Sequence, residues 1–352
     1  MKRKKILVAM SGGVDSSVTA AILKKNGYDV VGVFMKFWQE PGEGRENLCC
    51  SAKARLDAKR VAIKLGIPFY VLDVRKEFKK RVVDYFLKEC KKGNTPNPCV
   101  ECNRHIKFKF LIDTAIKLKA DYVATGHYAK AKNGKLMVAK DKKKDQSYFL
   151  WQLTQKQLSK IIFPLGNFIK EQVRGLAKKF GLSVAEKKDS QEICFINANI
   201  SEFLKKRIKT NNGPIITKDG KKIGEHKGLI FYTIGQRKGI EIGGAGPYYV
   251  IRKDFKKNTL IVSNPQKDLL QKEMIIKNIN WLSGKSFSGK CRVKIRSMAK
   301  MVPAKIIEHV TYNMKQKKYK VIFDKEQRAV TPGQSAVFYK GNELLGGGII
   351  EI

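Results

Sequence analysis

The decisive stretch of this sequence is Ser11-Gly12-Gly13-Val14-Asp15-Ser16-Ser17, which lies between an apolar run at residues 6–10 and a helical pattern. That order predicts a strand, a tight turn and the start of a helix. Two adjacent glycines let the backbone approach a ligand closely, and N–H groups and hydroxyls at a helix N-terminus suit a phosphate. Asp15 stands where a magnesium ion that bridges phosphates would need a carboxylate. A glycine–serine turn without a ligand is the structural alternative.

No lysine follows the glycines, so the stretch differs from the P-loop of NTPases, whose motif ends in Gly-Lys-Ser/Thr. It resembles instead the loop of ATP pyrophosphatases, enzymes that cleave ATP to AMP and pyrophosphate in order to adenylate a carbonyl oxygen. The resemblance implies an α/β fold of the adenine nucleotide alpha-hydrolase type.

The order of elements predicts three domains. The first 200 residues alternate short apolar runs with helical patterns, as in a parallel sheet covered by helices. The predicted helices include residues 51–65, 77–90, 103–118, 154–161 and 170–180. Glycine-rich β-type sequence begins near residue 212, and after Pro265 alternating runs predict a small antiparallel barrel or sandwich. We therefore expect a catalytic domain over residues 1–205, a β-rich central domain over 206–268 and a C-terminal β-barrel over 269–352.

The net charge is +41, from 72 Lys and Arg against 31 Asp and Glu. Such an excess indicates a polyanionic partner, although a lysine-rich proteome would give the same composition. No run approaches the roughly 18 apolar residues of a membrane helix, and the basic N-terminus leads into a run too short for a signal peptide. We expect a cytoplasmic protein that does not bind membranes.

Seven cysteines point to metal, sulfur or redox chemistry in a cytoplasmic chain rather than to a disulfide scaffold. Cys99 and Cys102 follow a double-proline loop and precede a helix predicted to begin near Asn103, where the helix dipole would lower a thiol pKa. A zinc site is the alternative for this pair, but it would need two more ligands. Cys194 follows a polar, loop-like stretch, where it is either reactive or a small buried hydrophobe. The remaining cysteines are interpreted as structural: Cys49, Cys50, Cys90 and Cys291.

Thr125-Gly126-His127-Tyr128 ends the fourth predicted strand of the sheet. The carboxyl ends of parallel strands line the ligand crevice, so Gly126 would let a nucleotide approach and His127 would face it. A structural histidine is the alternative.

Together these motifs closely resemble the tRNA-specific 2-thiouridylases, in the same order from residue 1 to the final barrel. The further motifs that carry the resemblance are Thr95-Pro96-Asn97-Pro98, Lys144-Asp145-Gln146-Ser147-Tyr148, Asp189-Ser190 with Ile193-Cys194-Phe195-Ile196, and Phe231-Tyr232-Thr233-Ile234-Gly235-Gln236-Arg237-Lys238-Gly239.

The resemblance implies a tRNA sulfurtransferase that uses ATP and Mg²⁺ to replace the 2-oxygen of the wobble uridine with sulfur. The sulfur would come from a cysteine desulfurase or a sulfur-relay protein. By the family pattern Cys194 carries the persulfide, and Cys102 is the nucleophile that ends in a disulfide with Cys194. The implied ATP-binding residues are Ala9, Met10, Ser11, Gly12, Gly13, Val14, Asp15, Ser16, Met35 and Gly126.

The same pattern implies a set of tRNA contacts, and it implies that the C-terminal β-barrel over residues 269–352 binds tRNA. A single-stranded anticodon loop would present the target base out of its stack at little cost. The implied contacts are Asn97, Pro98, Cys99, His127, Lys144, Asp145, Gln146, Arg296, Ser297 and Gln334.

One position departs from the family pattern, since Cys99 stands where many members have an aspartate thought to act as acid or base. A thiol suits that role less well. Cys99, Cys102 and Cys194 are also the right number of ligands for three irons of a 4Fe–4S cluster, an alternative to the persulfide relay.

Two further functions remain open from the sequence. One is another ATP-pyrophosphatase, an amidotransferase-like synthetase, which would need neither paired cysteines nor a basic surface. The other is a non-catalytic RNA-binding protein with a regulatory nucleotide loop.

Overall fold

The computed structural model describes residues 3–40, 51–189, 193–196, 199–240, 242, 247–309 and 317–351. In these residues a helix-covered parallel sheet is followed by a small β-rich region and a closed barrel, which confirms the predicted fold class. None of the described helices is long and apolar enough to cross a membrane.

The N-terminal region is built on a five-stranded parallel sheet. Strands β1 to β7 span Lys5–Ala9, Asp29–Lys36, Phe69–Asp73, Tyr122–Ala124, Lys130–Lys132, Lys135–Met137 and Ile161–Ile162. The order in the sheet is β3-β2-β1-β4-β7. Strands β2 and β3 therefore lie on one side of β1, and the later strands β4 and β7 lie on the other. In such sheets the loops after the two strands at the reversal diverge and leave a crevice. These two loops are residues 10–13 and 125–127, both singled out by the sequence.

Helices cover both faces of this sheet. In the described part of the chain, α1 to α9 span Val14–Lys25, Ala52–Lys64, Arg75–Phe78, Asp84–Lys91, Pro98–Cys102, Phe108–Lys117, Gln155–Leu158, Lys170–Lys179 and Ile200–Lys205. A π-helical turn at Lys79–Val83 joins α3 to α4, and another at Asn103–Lys107 joins α5 to α6. Short 3₁₀ turns lie at Ser147–Leu150, Pro164–Asn167, Leu229–Phe231 and Gln266–Leu269.

The apolar strands explain the two-layered core. Leu7 and Val33 point to one side, against the helices around Phe78 and Phe108. Ile6 and Val8 point to the other, where α1, α2 and α8 pack. Because both faces are covered, β1 and β2 are buried along nearly their whole length, as the continuous apolar runs predicted.

Two β-structures follow. Strands β8 to β11 span Gly213–Thr217, Lys222–His226, Tyr249–Asp254 and Thr259–Ser263, and they form a sheet of order β10-β11-β8-β9. Strands β12 to β17 span Leu270–Trp281, Gly289–Lys294, Val302–His309, Lys318–Arg328, Ser335–Lys340 and Glu343–Glu351. Their order is β12-β15-β14-β13-β16-β17, and β12 also pairs with β17, which closes an antiparallel six-stranded barrel.

The hairpin β5–β6 belongs in sequence to the N-terminal region but extends the barrel sheet. Leu136 and Met137 of β6 pair with Leu344 and Glu343 of β17. Beside it, Trp151 Nε1 donates to Ser335 Oγ at 3.0 Å and Tyr148 OH donates to the Ser335 carbonyl at 2.9 Å. Both aromatic side chains are fully buried, so the barrel and the N-terminal region share one apolar core.

Two local predictions were wrong. The helix predicted over residues 154–161 is only one turn, Gln155–Leu158, and Ile161–Ile162 instead forms the edge strand β7. The helix predicted to begin near Asn103 begins at Pro98. In both places the spacing of apolar residues was read correctly. In the first, pairing with β4 at the sheet edge made residues 161–162 a strand. In the second, the Asn97 side-chain cap made the helix begin earlier than predicted.

Candidate active site

A cleft of about 290 Å³ opens at the strand reversal between β1 and β4. Its walls bring together predicted residues from widely separated parts of the sequence. They include Ala9, Met10, Ser11, Asp15, Ser16, Met35, Pro98, Cys99, Cys102, Gly126, His127, Gln146 and Cys194. The loop after β1, which the sequence predicts to bind the nucleotide and which we call the nucleotide loop (residues 10–13), therefore faces the same space as Cys102 and Cys194.

The loop after β1 is organised by its own hydroxyl groups. Ser16 Oγ accepts from the Ser11 backbone N–H at 3.1 Å and donates to the Gly13 carbonyl at 3.2 Å. Gly13 caps α1 in an extended conformation with no side-chain cap, so N–H groups of the first helical turn are left for a ligand. Gly12, Gly13 and Val14 shape this turn without lining the cleft.

Two glycines permit close approaches that a side chain would block. Gly12 has a φ of +73°, and a Cβ there would lie 2.1 Å from the Ala54 carbonyl oxygen. A Cβ at Gly126 would lie 2.8 Å from the Ser16 nitrogen. The loop after β4 thus packs closely against the N-terminus of α1, and the crevice is narrow at this end, where phosphate binding is predicted.

Asp15 belongs to a network of charges at the rim of the cleft. Lys170 Nζ donates to both carboxylate oxygens of Asp15, at 2.8 and 2.9 Å, and Tyr128 OH donates to Oδ1 at 2.9 Å. The same ammonium lies 2.8 Å from Asp189 Oδ1. Asp189 also accepts from Lys144 at 2.8 Å and Arg174 at 3.0 Å. Burial raises the pKa of Asp189, but the hydrogen bonds from Lys144 and Lys170 outweigh it and lower the pKa to about 2.

Cys99 and Cys102 lie on the helix that begins at Pro98. The Asn97 side chain caps this helix by accepting from the Cys99 N–H at 3.2 Å. Cys99 is therefore in the first turn, whereas Cys102 is the last residue before the π-helical turn. Since the helix dipole acts mainly on the first turn, it acts on Cys99 more than on Cys102, contrary to the expectation from a helix start at Asn103.

A π-helical turn, Asn103–Lys107, follows Cys102. Lys107 at its end lines the cleft together with Cys102. Single π turns inside helices are common at functional sites. Lys107 brings a positive charge to the sulfur side of the cleft.

Cys194 reaches the cleft from a segment anchored by an aromatic cluster. The neighbouring Phe195 ring is buried, with its centroid 5.6 to 5.8 Å from those of Phe78, Phe86 and Phe203. Cys194 is half-buried. Residues Ser190, Gln191 and Glu192 of its motif lie outside the described part.

His127 lines the cleft as a neutral imidazole. Its Nδ1 lies 2.8 Å from Thr125 Oγ1, and its ring packs against Phe108 and Phe163. Burial and the nearby charge of Lys107 hold the pKa of His127 well below its usual range. At neutral pH the ring is an apolar and hydrogen-bonding surface rather than a cation.

The other predicted tRNA contacts of the N-terminal region differ in whether they line the cleft. Pro98 and Gln146 line the cleft, and Gln146 Oε1 accepts from the Tyr128 N–H at 3.0 Å. Lys144 and Asp145 do not line it: Lys144 binds Asp189, and Asp145 accepts from the Ala139 N–H and the Ser147 hydroxyl.

Three predicted contacts lie on the barrel. Gln334 Nε2 donates to the Thr95 carbonyl at 2.7 Å, and the Thr95 N–H donates to the Pro332 carbonyl at 2.9 Å. Arg296 donates to the Ala329 carbonyl, and the adjacent Ser297 is partly exposed. The barrel therefore holds the loop that leads into Asn97 and Cys99.

The cysteines interpreted as structural are partly described. Burial raises the pKa of Cys90 to about 12 and that of Cys291 to about 11, which keeps both thiols protonated. Cys49 and Cys50 lie outside the described residues. Within the described residues, no group of three or more His, Cys, Asp or Glu side chains could hold a metal ion, so Cys99, Cys102 and Cys194 share the cleft without forming such a ligand set.

Lys170 and Tyr128 are functional candidates that sequence reasoning missed. Tyr128 is the last residue of the motif Thr125-Gly126-His127-Tyr128, and no function was predicted for its hydroxyl, which donates to Asp15. Lys170 begins α8 in a lysine-rich chain, where no local pattern separates it from its neighbours.

Comparison with known proteins agrees with these features. The tRNA methyl transferase HUP domain model matches residues 4–198, the tRNA methyl transferase PRC-barrel domain model matches 201–264, and the aminomethyltransferase beta-barrel domain model matches 271–350. The tRNA-specific 2-thiouridylase MnmA 2 of Clostridium tetani is 47% identical over 358 residues, with 99% of each chain covered. The MnmA proteins of Clostridium perfringens and Acetivibrio thermocellus are each 46% identical, covering 100% of this chain and 99% and 100% of theirs. The chain therefore belongs to the family of the tRNA-specific 2-thiouridylases.

Proposed function

We propose that this protein is a tRNA 2-thiouridylase that adenylates the 2-oxygen of the wobble uridine and replaces it with sulfur. The observation that carries the proposal is the single cleft lined both by the nucleotide loop, with Ser11 and Asp15, and by Cys102 and Cys194. An amidotransferase-like synthetase would have no use for this pair of cysteines, and a regulatory nucleotide loop would not need them beside it.

The first step is adenylation of the uracil 2-oxygen. That oxygen attacks the α-phosphorus of ATP, the bond to the β-phosphate breaks, and pyrophosphate leaves. Ser11, Ser16 and the N-terminus of α1 suit the phosphates, with Met35 and Gly126 beside the adenosine. The adenylyl group turns a poor leaving group into AMP.

Mg²⁺ is proposed as the companion of ATP. Asp15 is the carboxylate among the described residues that line the cleft, and its oxygens already accept from Lys170. One carboxylate fits a Mg²⁺ ion held mainly by phosphate oxygens and water. When bound, the ion would neutralise charge on the departing pyrophosphate.

The second step is sulfur transfer. The terminal sulfur of a persulfide on Cys194 attacks carbon 2 of the base, and AMP leaves. The Cys102 thiolate then attacks Cys194 Sγ, which releases the sulfur on the base and forms a Cys102–Cys194 disulfide. A thiol reductant restores the two cysteines, and a cysteine desulfurase or sulfur-relay protein reloads Cys194. We propose that the reaction takes place in the cytoplasm, where ATP and these partners would be available.

The base would enter beside the helix that carries Cys99. Asn97 caps that helix and Pro98 is its first residue, and the neutral ring of His127 offers a surface for a base or ribose. Arg296, Ser297 and Gln334 on the barrel, with Lys144, Asp145 and Gln146, would follow the RNA outward. Because Gln334 and Lys144 also bind protein groups, their effect on tRNA would be partly indirect.

The proposed function is tested by incubating the protein with unmodified tRNA, ATP, Mg²⁺ and a persulfide donor. We expect release of pyrophosphate that requires tRNA, and 2-thiouridine in the digested product by mass spectrometry. Pyrophosphate release that ignores tRNA and follows ammonia would favour the synthetase, and tRNA binding without turnover would favour the RNA-binding protein.

Replacing Cys99 separates the persulfide relay from the iron–sulfur alternative. We expect Cys99→Ser to keep most of the thiolation rate, because the relay uses only Cys102 and Cys194. The measurement is 2-thiouridine formation with iron and sulfide analysis after anaerobic purification. An iron-containing parent with an inactive, iron-free Cys99→Ser variant would contradict it and favour the cluster.

Binding of tRNA should depend strongly on salt. The net charge of +41 favours phosphate contacts, each of which lowers log K by about 0.7 to 0.9 per tenfold rise in salt. Filter binding of tRNA at low and moderate salt measures this slope. A dissociation constant that stays the same would show that the charge plays no part in binding.

A further inference from the structure

Lys170 has an unusual position for a lysine. Its side chain is only 9% exposed, and its ammonium lies between two carboxylates, Asp15 and Asp189. It also lies 5.9 Å from the centre of the Tyr128 ring. Burying an ammonium is costly unless it is paired and hydrogen-bonded, and here three oxygen contacts within 2.9 Å satisfy it.

The two carboxylates belong to two different functional segments. Asp15 lies in the first turn of α1 and lines the cleft at the phosphate end. Asp189 comes five positions before Cys194. The residues just before Asp189 are also held by Arg174, which donates to the carbonyls of Ala185 and Lys187 at 2.8 and 3.0 Å.

The ammonium also sets the charge at the phosphate end of the cleft. An unpaired Asp15 carboxylate would repel a polyphosphate. Lys170 at 2.8 Å offsets this negative charge and holds the carboxylate in one orientation, while Lys144 and Arg174 also balance the charge of Asp189. Among the described contacts of the Asp15 carboxylate, removing the lysine would leave the hydrogen bond from the Tyr128 hydroxyl.

We propose that Lys170 is a positioning residue for both half-reactions. It orients Asp15 for adenylation, and through Asp189 it holds the residues before Cys194 beside the loop after β1. The proposal rests on the proposed function. It predicts that loss of the lysine slows pyrophosphate release, and that loss of Asp189 separates pyrophosphate release from sulfur transfer.

The first test is Lys170→Met, with Lys178→Met as the matched control on the same helix. Lys178 is 64% exposed and pairs with an exposed Glu186, so its loss should change little. For Lys170→Met we expect kcat for tRNA-dependent pyrophosphate release to fall about 10- to 100-fold, with tRNA affinity unchanged. Lys170→Arg should recover part of the rate, because it keeps the charge. An unchanged kcat in a folded Lys170→Met variant would overturn the proposal.

A double-mutant cycle asks whether Lys170 acts through Asp15. In an Asp15→Asn background the further change Lys170→Met should cost much less than it does alone. An equal fold-loss in both backgrounds would overturn the assignment of a role through Asp15.

Asp189→Asn is the second variant, and it keeps Lys170 in place beside Asp15. We expect pyrophosphate release to continue while the yield of 2-thiouridine per pyrophosphate falls about 10-fold, since a small displacement of the reacting sulfur is costly. A variant that loses both activities equally would refute the tie to the Cys194 segment. Wild-type protein assayed in parallel keeps the two proposals apart: if it shows no tRNA-dependent turnover, the proposed function itself fails.

Discussion

Cys102→Ser and Cys194→Ser should each reduce 2-thiouridine formation by about three orders of magnitude or more, because each removes a sulfur that must form and break bonds. Adenylation needs neither thiol. Pyrophosphate release that depends on tRNA should therefore continue in both variants. The measurement is a paired assay of pyrophosphate and of thiolated nucleoside from the same reaction.

The control for these two variants is Cys291→Ala. Cys291 is buried in the barrel, far in sequence from the cleft, and its raised pKa keeps it a thiol. It should lose some stability and keep its thiolation rate once folded. Full thiolation by either cleft variant would refute the pairing of Cys102 with Cys194.

Asp15→Ala should lower pyrophosphate release by about 100- to 1000-fold, the loss expected when a preorganised group at the reacting phosphates is removed. Ser11→Ala should act in the same direction, because Ser11 lines the cleft and bonds Ser16. The affinity for tRNA should stay close to that of the wild type in both. Kinetics of pyrophosphate release and filter binding measure the two properties separately.

Asp29→Ala serves as the matched control for Asp15→Ala. Asp29 begins β2, is about half exposed and pairs with Lys5 at 3.8 Å, away from the carboxyl ends of the strands. Its loss should leave turnover unchanged. Normal turnover in both Asp15→Ala and Ser11→Ala would contradict the assignment of the nucleotide loop.

The sequence allowed the sheet and the nucleotide loop to be predicted because their signals are local. An apolar run followed by Ser11-Gly12-Gly13 specifies strand, turn and helix without reference to the rest of the chain. The meeting of that loop with Gly126 was predictable too, because the carboxyl ends of parallel strands share one edge. The start of the cysteine helix was missed although its signal was present: Asn97-Pro98 is a capping residue followed by a first-turn proline.

Other features depend on contacts between distant parts of the chain. Lys170 meets Asp15 across 155 positions, and Gln334 meets Thr95 across 239. Nothing near Lys170 in the sequence distinguishes it from an exposed helical lysine. Only the packing of α8 beside α1 gives it a buried position and two carboxylate partners.

The hairpin β5–β6 has a consequence for how the protein is made. It is synthesised early, yet its outer partner is β17, the last described strand, with Met137 opposite Glu343. Until the ribosome has delivered that strand, the hairpin edge and the Trp151 side chain have no barrel to cover them. Pairing across such a separation also slows folding. A fragment that ends before the barrel should therefore expose an unpaired strand edge and aggregate. We expect the N-terminal region and the barrel to fold as one cooperative unit.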